Sequence, residues 1–151
     1  MTGTDGNPAI ILLVEDDKGD QNLTVRAFAR GKISNEIHIV EDGEEALDYL
    51  LRRGKYSDPA TSPRPHIVLL DLNLPKLDGR EVLKQIRQEP DLRTLPVIAL
   101  TTSQQEEDIV RTYNLGVNSY ITKPVSPDQF SKVIHALENY WFQIVVLPKA
   151  A

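Results

Sequence analysis

Ala9-Ile10-Ile11-Leu12-Leu13-Val14-Glu15-Asp16-Asp17 begins with six apolar residues and stops abruptly on three acids. A continuous apolar run this short suits a strand covered on both faces, as in a parallel sheet, where no side chain alternates out to water. Four later stretches share the design: Ile37-His38-Ile39-Val40, Ile67-Val68-Leu69-Leu70, Val97-Ile98-Ala99-Leu100 and Ser119-Tyr120-Ile121-Thr122. Five strand candidates alternating with five helical segments imply parallel strands joined by right-handed crossovers, an α/β doubly wound sheet.

The helical segments carry readable ends. Asp78-Gly79-Arg80-Glu81 and Ser103-Gln104-Gln105-Glu106 have the capping-box form, and Ser126-Pro127-Asp128 sets a cap residue before a first-turn proline. Gly31, Gly54 and Gly116 stand where left-handed helix stops belong. Phe130, Val133, Ile134 and Leu137 follow helical spacing, as Val82, Leu83 and Ile86 do in part. Residues 54–65 contain three prolines and read as a surface loop, long for its place. Residues 1–8 are expected to be a flexible leader, residues 9–140 the folded domain, and residues 141–151 an apolar extension.

Composition narrows the function classes. At 151 residues the chain suits one domain, and 40% hydrophobic content supports a core without metal or disulfide staples. Cysteine is absent, which excludes disulfides and thiolate zinc sites. No apolar run approaches the ~18 residues of a membrane span, and the N-terminus lacks the basic start and apolar stretch of a signal peptide; a cytoplasmic protein is expected. With 22 acidic against 17 basic residues, the net charge of −5 has the wrong sign for a phosphate backbone.

In a doubly wound sheet, ligands bind beyond the carboxyl ends of the strands. Those ends are Glu15 and Asp16, Asp71, Thr101, and Thr122-Lys123. Parallel strands bring them to one edge, where three gathered carboxylates call for a cation. An all-oxygen donor set favours a hard ion such as Mg²⁺, which leaves positions for a phosphate, and Lys123 supplies a second positive charge for it. Acids after strands also cap helices, a role open to Asp16 or Asp17. Asp71 is not placed for capping, because Asp71-Leu72-Asn73-Leu74-Pro75 leads from a buried run into a loop. His38, His66 and His135 lack ligand spacing and are expected to be structural.

The set Leu13-Val14-Glu15-Asp16, Leu69-Leu70-Asp71-Leu72-Asn73-Leu74-Pro75 with Asp78-Gly79, Leu100-Thr101-Thr102 and Tyr120-Ile121-Thr122-Lys123-Pro124 resembles the receiver domain of two-component signalling over residues 9–140. The resemblance implies a flavodoxin-like five-stranded parallel sheet of order 2-1-3-4-5. It also implies that Asp71 takes a phosphoryl group from a phosphohistidine of a sensor histidine kinase. Asp16, Asp71 and the backbone carbonyl of Asn73 would bind Mg²⁺, and Glu15 would act through a water. Lys123 would contact the phosphoryl oxygens, Thr101 would reach them through its hydroxyl, and Tyr120 would turn inward. Thr102 departs from the smaller residue usual beside the switch threonine.

A narrower resemblance rests on the proline-rich loop, Arg80-Glu81-Val82-Leu83 after Asp78-Gly79, Thr101-Thr102-Ser103, Tyr120-Ile121-Thr122-Lys123 and the ending Tyr140-Trp141-Phe142 through Leu147-Pro148. It is similar to the stand-alone response regulators paired with cyanobacterial-type phytochrome kinases, which implies a phytochrome partner and a homodimer through the last strand, the last helix and the extension. Trp141, Phe142, Ile144, Val145, Val146 and Leu147 independently suggest a covered surface. Two rival readings remain, a receiver fold that binds partners without phosphorylation and an aspartate-based phosphatase. The phosphatase family wants an acid two residues after its nucleophile, where this chain has Asn73, which cannot exchange a proton at neutral pH.

Overall fold

The computed structural model describes residues 9–30, 35–74, 76–102, 117, 119–123, 126, 128 and 129. Its five strands are β1 (Ala9–Val14), β2 (Asn35–Val40), β3 (Ile67–Asp71), β4 (Val97–Thr101) and β5 (Ser119–Thr122), and its three described α-helices are α1 (Lys18–Ala29), α2 (Gly43–Leu50) and α3 (Gly79–Gln88). The strands form one parallel sheet in the order β2-β1-β3-β4-β5, as the family resemblance implies. β2 begins two residues earlier than its apolar run, while Asp71 and Thr101 are the last residues of β3 and β4.

Both faces of the sheet are covered along β1, β3 and β4, which is why those strands read as unbroken apolar runs; the edge strand β2, expected to share the design, is only partly covered and leaves Ile39 exposed. On one face Ile11, Leu13, Leu69, Ile98, Leu100 and Ile121 pack with Ala27 and Phe28 of α1. On the other, Leu12, Val14, Val68, Leu70 and Val97 pack with Ala46, Leu47 and Leu50 of α2 and Val82, Leu83 and Ile86 of α3. Each fully buried aliphatic side chain contributes about 1.5–3 kcal/mol relative to exposure. β1 has β2 on one side and β3 on the other, so the order reverses between the carboxyl ends of β1 and β3. That reversal opens the crevice in which Glu15, Asp16 and Asp71 meet.

The caps decide where the helices begin. Asp17 caps α1 by accepting from the Asp20 amide at 2.8 Å, so of the two acids offered for capping it is Asp17 that is spent there. Asp78 caps α3 by accepting from the Arg80 amide at 2.7 Å, two residues on rather than the three a capping box uses. Asp42-Gly43-Glu44-Glu45 has the capping-box spacing as well, and it caps α2: Asp42 accepts from Glu45 N–H while Glu45 accepts from Glu41 N–H, both at 2.8 Å. Ser126 Oγ accepts from the Gln129 amide at 3.2 Å, consistent with its expected cap.

Gly54 does not stop a helix. α2 ends at Leu50, and it is Arg52 that first turns left-handed, with φ of 58°. Gly54, also at φ 58°, opens a 3₁₀ turn, Gly54–Tyr56. The proline-rich loop is pinned to α2 by the Tyr49 hydroxyl, which donates to the Pro63 carbonyl at 2.7 Å, and by Tyr56, which donates to Glu45. Gly31, Gly116, the Ser103 cap, the last helix, the leader and residues 141–151 lie outside the described residues.

Candidate functional site: an acidic crevice closed by one lysine

Three of the strand-end residues named from the sequence converge. One carboxylate oxygen from each of Glu15, Asp16 and Asp71 lies within 4.8 Å of the others. Glu15 and Asp71 are buried and Asp16 is exposed. Thr122 is exposed, whereas Lys123, immediately past β5, reaches across the sheet edge to the acids.

Asp71 is held at both oxygens. Its Oδ1 accepts from the Asn73 amide at 2.9 Å and its Oδ2 accepts from Lys123 Nζ at 2.7 Å. Leu72 is fully buried, which draws the backbone after β3 inward, and Gly79 N–H returns to the Leu72 carbonyl at 3.3 Å. Glycine is required at 79: a Cβ there would stand 2.5 Å from the Asp71 carbonyl oxygen and 2.7 Å from Leu72 Cα. The Asp78-Gly79 pair thus caps α3 and lets its first turn sit directly against the end of β3.

Lys123 is the positive centre of the crevice. Besides Asp71 it lies 2.8 Å from Glu15 Oε1 and 3.1 Å from Asp20 Oδ2, and its backbone N–H donates to the Thr101 carbonyl at 2.8 Å. Burial disfavours its ammonium, but attraction to Asp71 and Glu15 overrides that and holds its pKa above the ordinary lysine value. Glu15 goes the other way. Burial pushes its carboxyl up to about 7, an effect that the Lys123 contact and the Asp17 amide oppose and that Asp71 adds to.

Asp20 and Gln21 escaped the sequence reading. Both sit in the first turn of α1, a position that a list of strand ends does not interrogate; the only signal was their nearness to the Glu15-Asp16-Asp17 cluster. Gln21 is buried and donates through Nε2 to the Glu15 carbonyl at 2.8 Å and to Glu41 Oε2 at 2.9 Å, tying the end of β1 to the residue after β2.

Thr101 is fully buried, and its Oγ1 has no hydrogen-bond partner among the described residues. A buried hydroxyl left unsatisfied costs on the order of 1–3 kcal/mol. Tyr120 is half-buried and packs beside Leu72, Ala99 and Val117. Thr102 is exposed. The histidines behave structurally where described: His66 Nδ1 accepts from the Ile10 amide at 2.9 Å, and His38 pairs with Glu36 at 2.6 Å. His135 and Pro124 lie outside the described residues.

The residues present fit a divalent ion. The donors are all oxygens, two buried carboxylates share one lysine, and Glu15 Oε1, although close to that lysine, has no aligned hydrogen bond among the described residues. No helix among the described residues is long and apolar enough to cross a membrane.

Comparison with known proteins agrees with this geometry. The response regulator receiver domain family matches residues 11–135. Response regulator Rcp1 of Synechocystis sp. is 43% identical over 150 residues, covering 99% of this chain and all of that protein. A crystal structure of the Mn²⁺-bound form of response regulator Rcp1 is 46% identical, with a TM-score of 0.72 over 89% of this chain and 94% of that one. The bacteriophytochrome response regulator RtBRR is 50% identical, with a TM-score of 0.81 over 87% of this chain and 78% of that one. The phosphorylated cyanobacterial phytochrome response regulator RcpA is 43% identical, with a TM-score of 0.72 over 90% and 95%. With the sheet order, the acidic crevice and these matches in agreement, the chain belongs to the response regulator receiver domain family.

Proposed function

We propose that the chain is a phosphorylation switch in which Asp71 accepts a phosphoryl group from a phosphohistidine on a sensor histidine kinase of the phytochrome class. The observation that carries this reading is the double restraint on Asp71, with Oδ1 on the Asn73 amide and Oδ2 on Lys123. A carboxylate fixed in this way is a positioned nucleophile, and phosphoryl transfer depends mainly on positioning and neutralised charge. One Asp71 oxygen forms the new P–O bond while the P–N bond to the kinase histidine breaks, its electron pair returning to the imidazole.

Asp16, Asp71 and the backbone carbonyl of Asn73 would hold Mg²⁺, with Glu15 acting through a water. The bound ion supplies charge neutralisation for the phosphoryl oxygens. Lys123 would turn its ammonium to the phosphoryl group. Thr101, whose hydroxyl has no partner among the described residues, would donate to it, and Tyr120 would turn inward to fill the space that this movement leaves. The added charge and acceptor oxygens shift a population between two shapes.

The phytochrome-class partner is supported by the likeness to Rcp1, RtBRR and RcpA. The same likeness, with the apolar run 141–147, supports a homodimer through the last strand, last helix and extension, acting in the cytoplasm. Incubation with acetyl phosphate and Mg²⁺ tests the acceptor: intact-mass analysis should show one phosphoryl adduct on the wild type and none on Asp71→Asn. An adduct that survives the substitution contradicts the assignment. Phosphotransfer from purified kinases, timed against one another, identifies the donor.

A further inference from the structure

We infer that Asp20 is a latch on Lys123, a positioning residue that restrains the ammonium from the incoming phosphoryl group and so sets how fast Asp71 is phosphorylated. This rests on the phosphoacceptor reading of the same site and adds its regulation.

An ammonium has three N–H donors. Around Lys123 Nζ stand three carboxylates, Asp71 Oδ2 at 2.7 Å, Glu15 Oε1 at 2.8 Å and Asp20 Oδ2 at 3.1 Å. Asp71 and Asp20 take aligned hydrogen bonds from it and Glu15 stands in ionic contact, so turning the ammonium to new oxygens draws it away from these carboxylates. The three are not equivalent. Asp71 becomes the acyl phosphate, and Glu15 is fully buried, so withdrawing it from the lysine would strand a charge away from water. Asp20 has the longest contact, and its side chain is 31% exposed. It alone can turn into solvent.

The backbone fixes this geometry. Asp20 lies in the first turn of α1, where its amide is bound by the Asp17 cap. Its side chain is not part of that cap, so the carboxylate can be altered without removing the helix start. The carboxylate also adds a negative charge at the mouth of a crevice that must admit an anionic donor. Both effects slow phosphoryl uptake, and both disappear when the charge is removed.

The test compares full-length wild type, Asp20→Asn and Asp20→Glu at saturating Mg²⁺, following the phosphoryl adduct from acetyl phosphate by intact mass. Asp20→Asn should take up phosphoryl about fivefold faster, the scale expected for one partly solvated charge contact a few ångströms away. Asp20→Glu should restore a rate near wild type. Raising the salt concentration should narrow the gap between wild type and Asp20→Asn, because an exposed charge is screened. A merely structural residue would produce neither the rescue nor the salt response. An Asp20→Asn rate equal to or below wild type overturns the latch, as does a gap unmoved by salt. A wild type that forms no adduct overturns the phosphoacceptor reading as well.

Discussion

Lys123 Nζ stands 2.7 Å from Asp71 Oδ2 although the two residues are 52 positions apart in the chain. Only the pairing of β4 between β3 and β5 brings their strand ends together. Replacing Lys123 by methionine keeps much of the side-chain length but leaves Glu15 and Asp71 buried as like charges. Removing one partner of a buried ion pair costs about 3–5 kcal/mol. Urea denaturation of metal-free Lys123→Met at pH 8 should show a loss of that order, and added Mg²⁺ should recover part of it.

The raised carboxyl of Glu15 makes metal-free stability depend on pH. Its folded pKa of about 7 lies above the ordinary 4.5, so between those values the folded state binds more protons than the unfolded one. The contribution is fully present below pH ~4.5 and is lost as pH rises through ~7. Thermal melts in a chelator should fall by several degrees across this window, Glu15→Gln should flatten the trend, and Mg²⁺ should raise the high-pH melts most.

Gly79 is set by contact rather than by backbone conformation. Alanine there would place Cβ 2.5 Å from the Asp71 carbonyl oxygen, and backbone cannot yield as a flexible side chain would. Gly79→Ala should destabilise the domain by about 2 kcal/mol or more in urea titration and slow adduct formation on Asp71. Gly54→Ala is the contrast. A Cβ there meets nothing within 4 Å, leaving only the strain of φ 58°, about 1 kcal/mol.

Gln21→Leu tests the tie between β1 and the residue after β2. It removes the Nε2 donor from the Glu15 carbonyl and from Glu41. A buried carbonyl left without its donor costs about 1–3 kcal/mol. Chemical denaturation should show that loss, and calorimetric titration should show weaker Mg²⁺ binding because the end of β1 carries the acids.

Deleting residues 141–151 addresses the proposed homodimer. Light scattering should report a dimer for the full chain and a monomer for the truncated one; a dimer that survives the deletion contradicts a role for the extension.

Much of the fold was legible because a strand buried on both faces has to be apolar at every position. Leu12 and Leu13 point to opposite layers and are both fully buried, so β1 shows no alternation. Glu15, Asp16 and Asp71 were legible for the same topological reason, since parallel strands put all their carboxyl ends on one edge. Helix ends were less so. Arg52 takes a left-handed conformation that Gly54 was expected to provide, because the reversal after α2 is set by the docking of Tyr49 and Tyr56 rather than by local preference.

The sequence by itself therefore determined the layered α/β fold and which acids and lysine share its ligand-binding edge, since both follow from apolar patterning and strand polarity. Tertiary structure alone decided that Asp17 caps α1 while Asp16 joins the crevice, that Gln21 supports Glu15, and that Asp20 shares Lys123 with Asp71. Those outcomes depend on how the first turn of α1 is rotated against a sheet edge assembled from distant strands, a relation of a few ångströms that spacing along the chain does not encode.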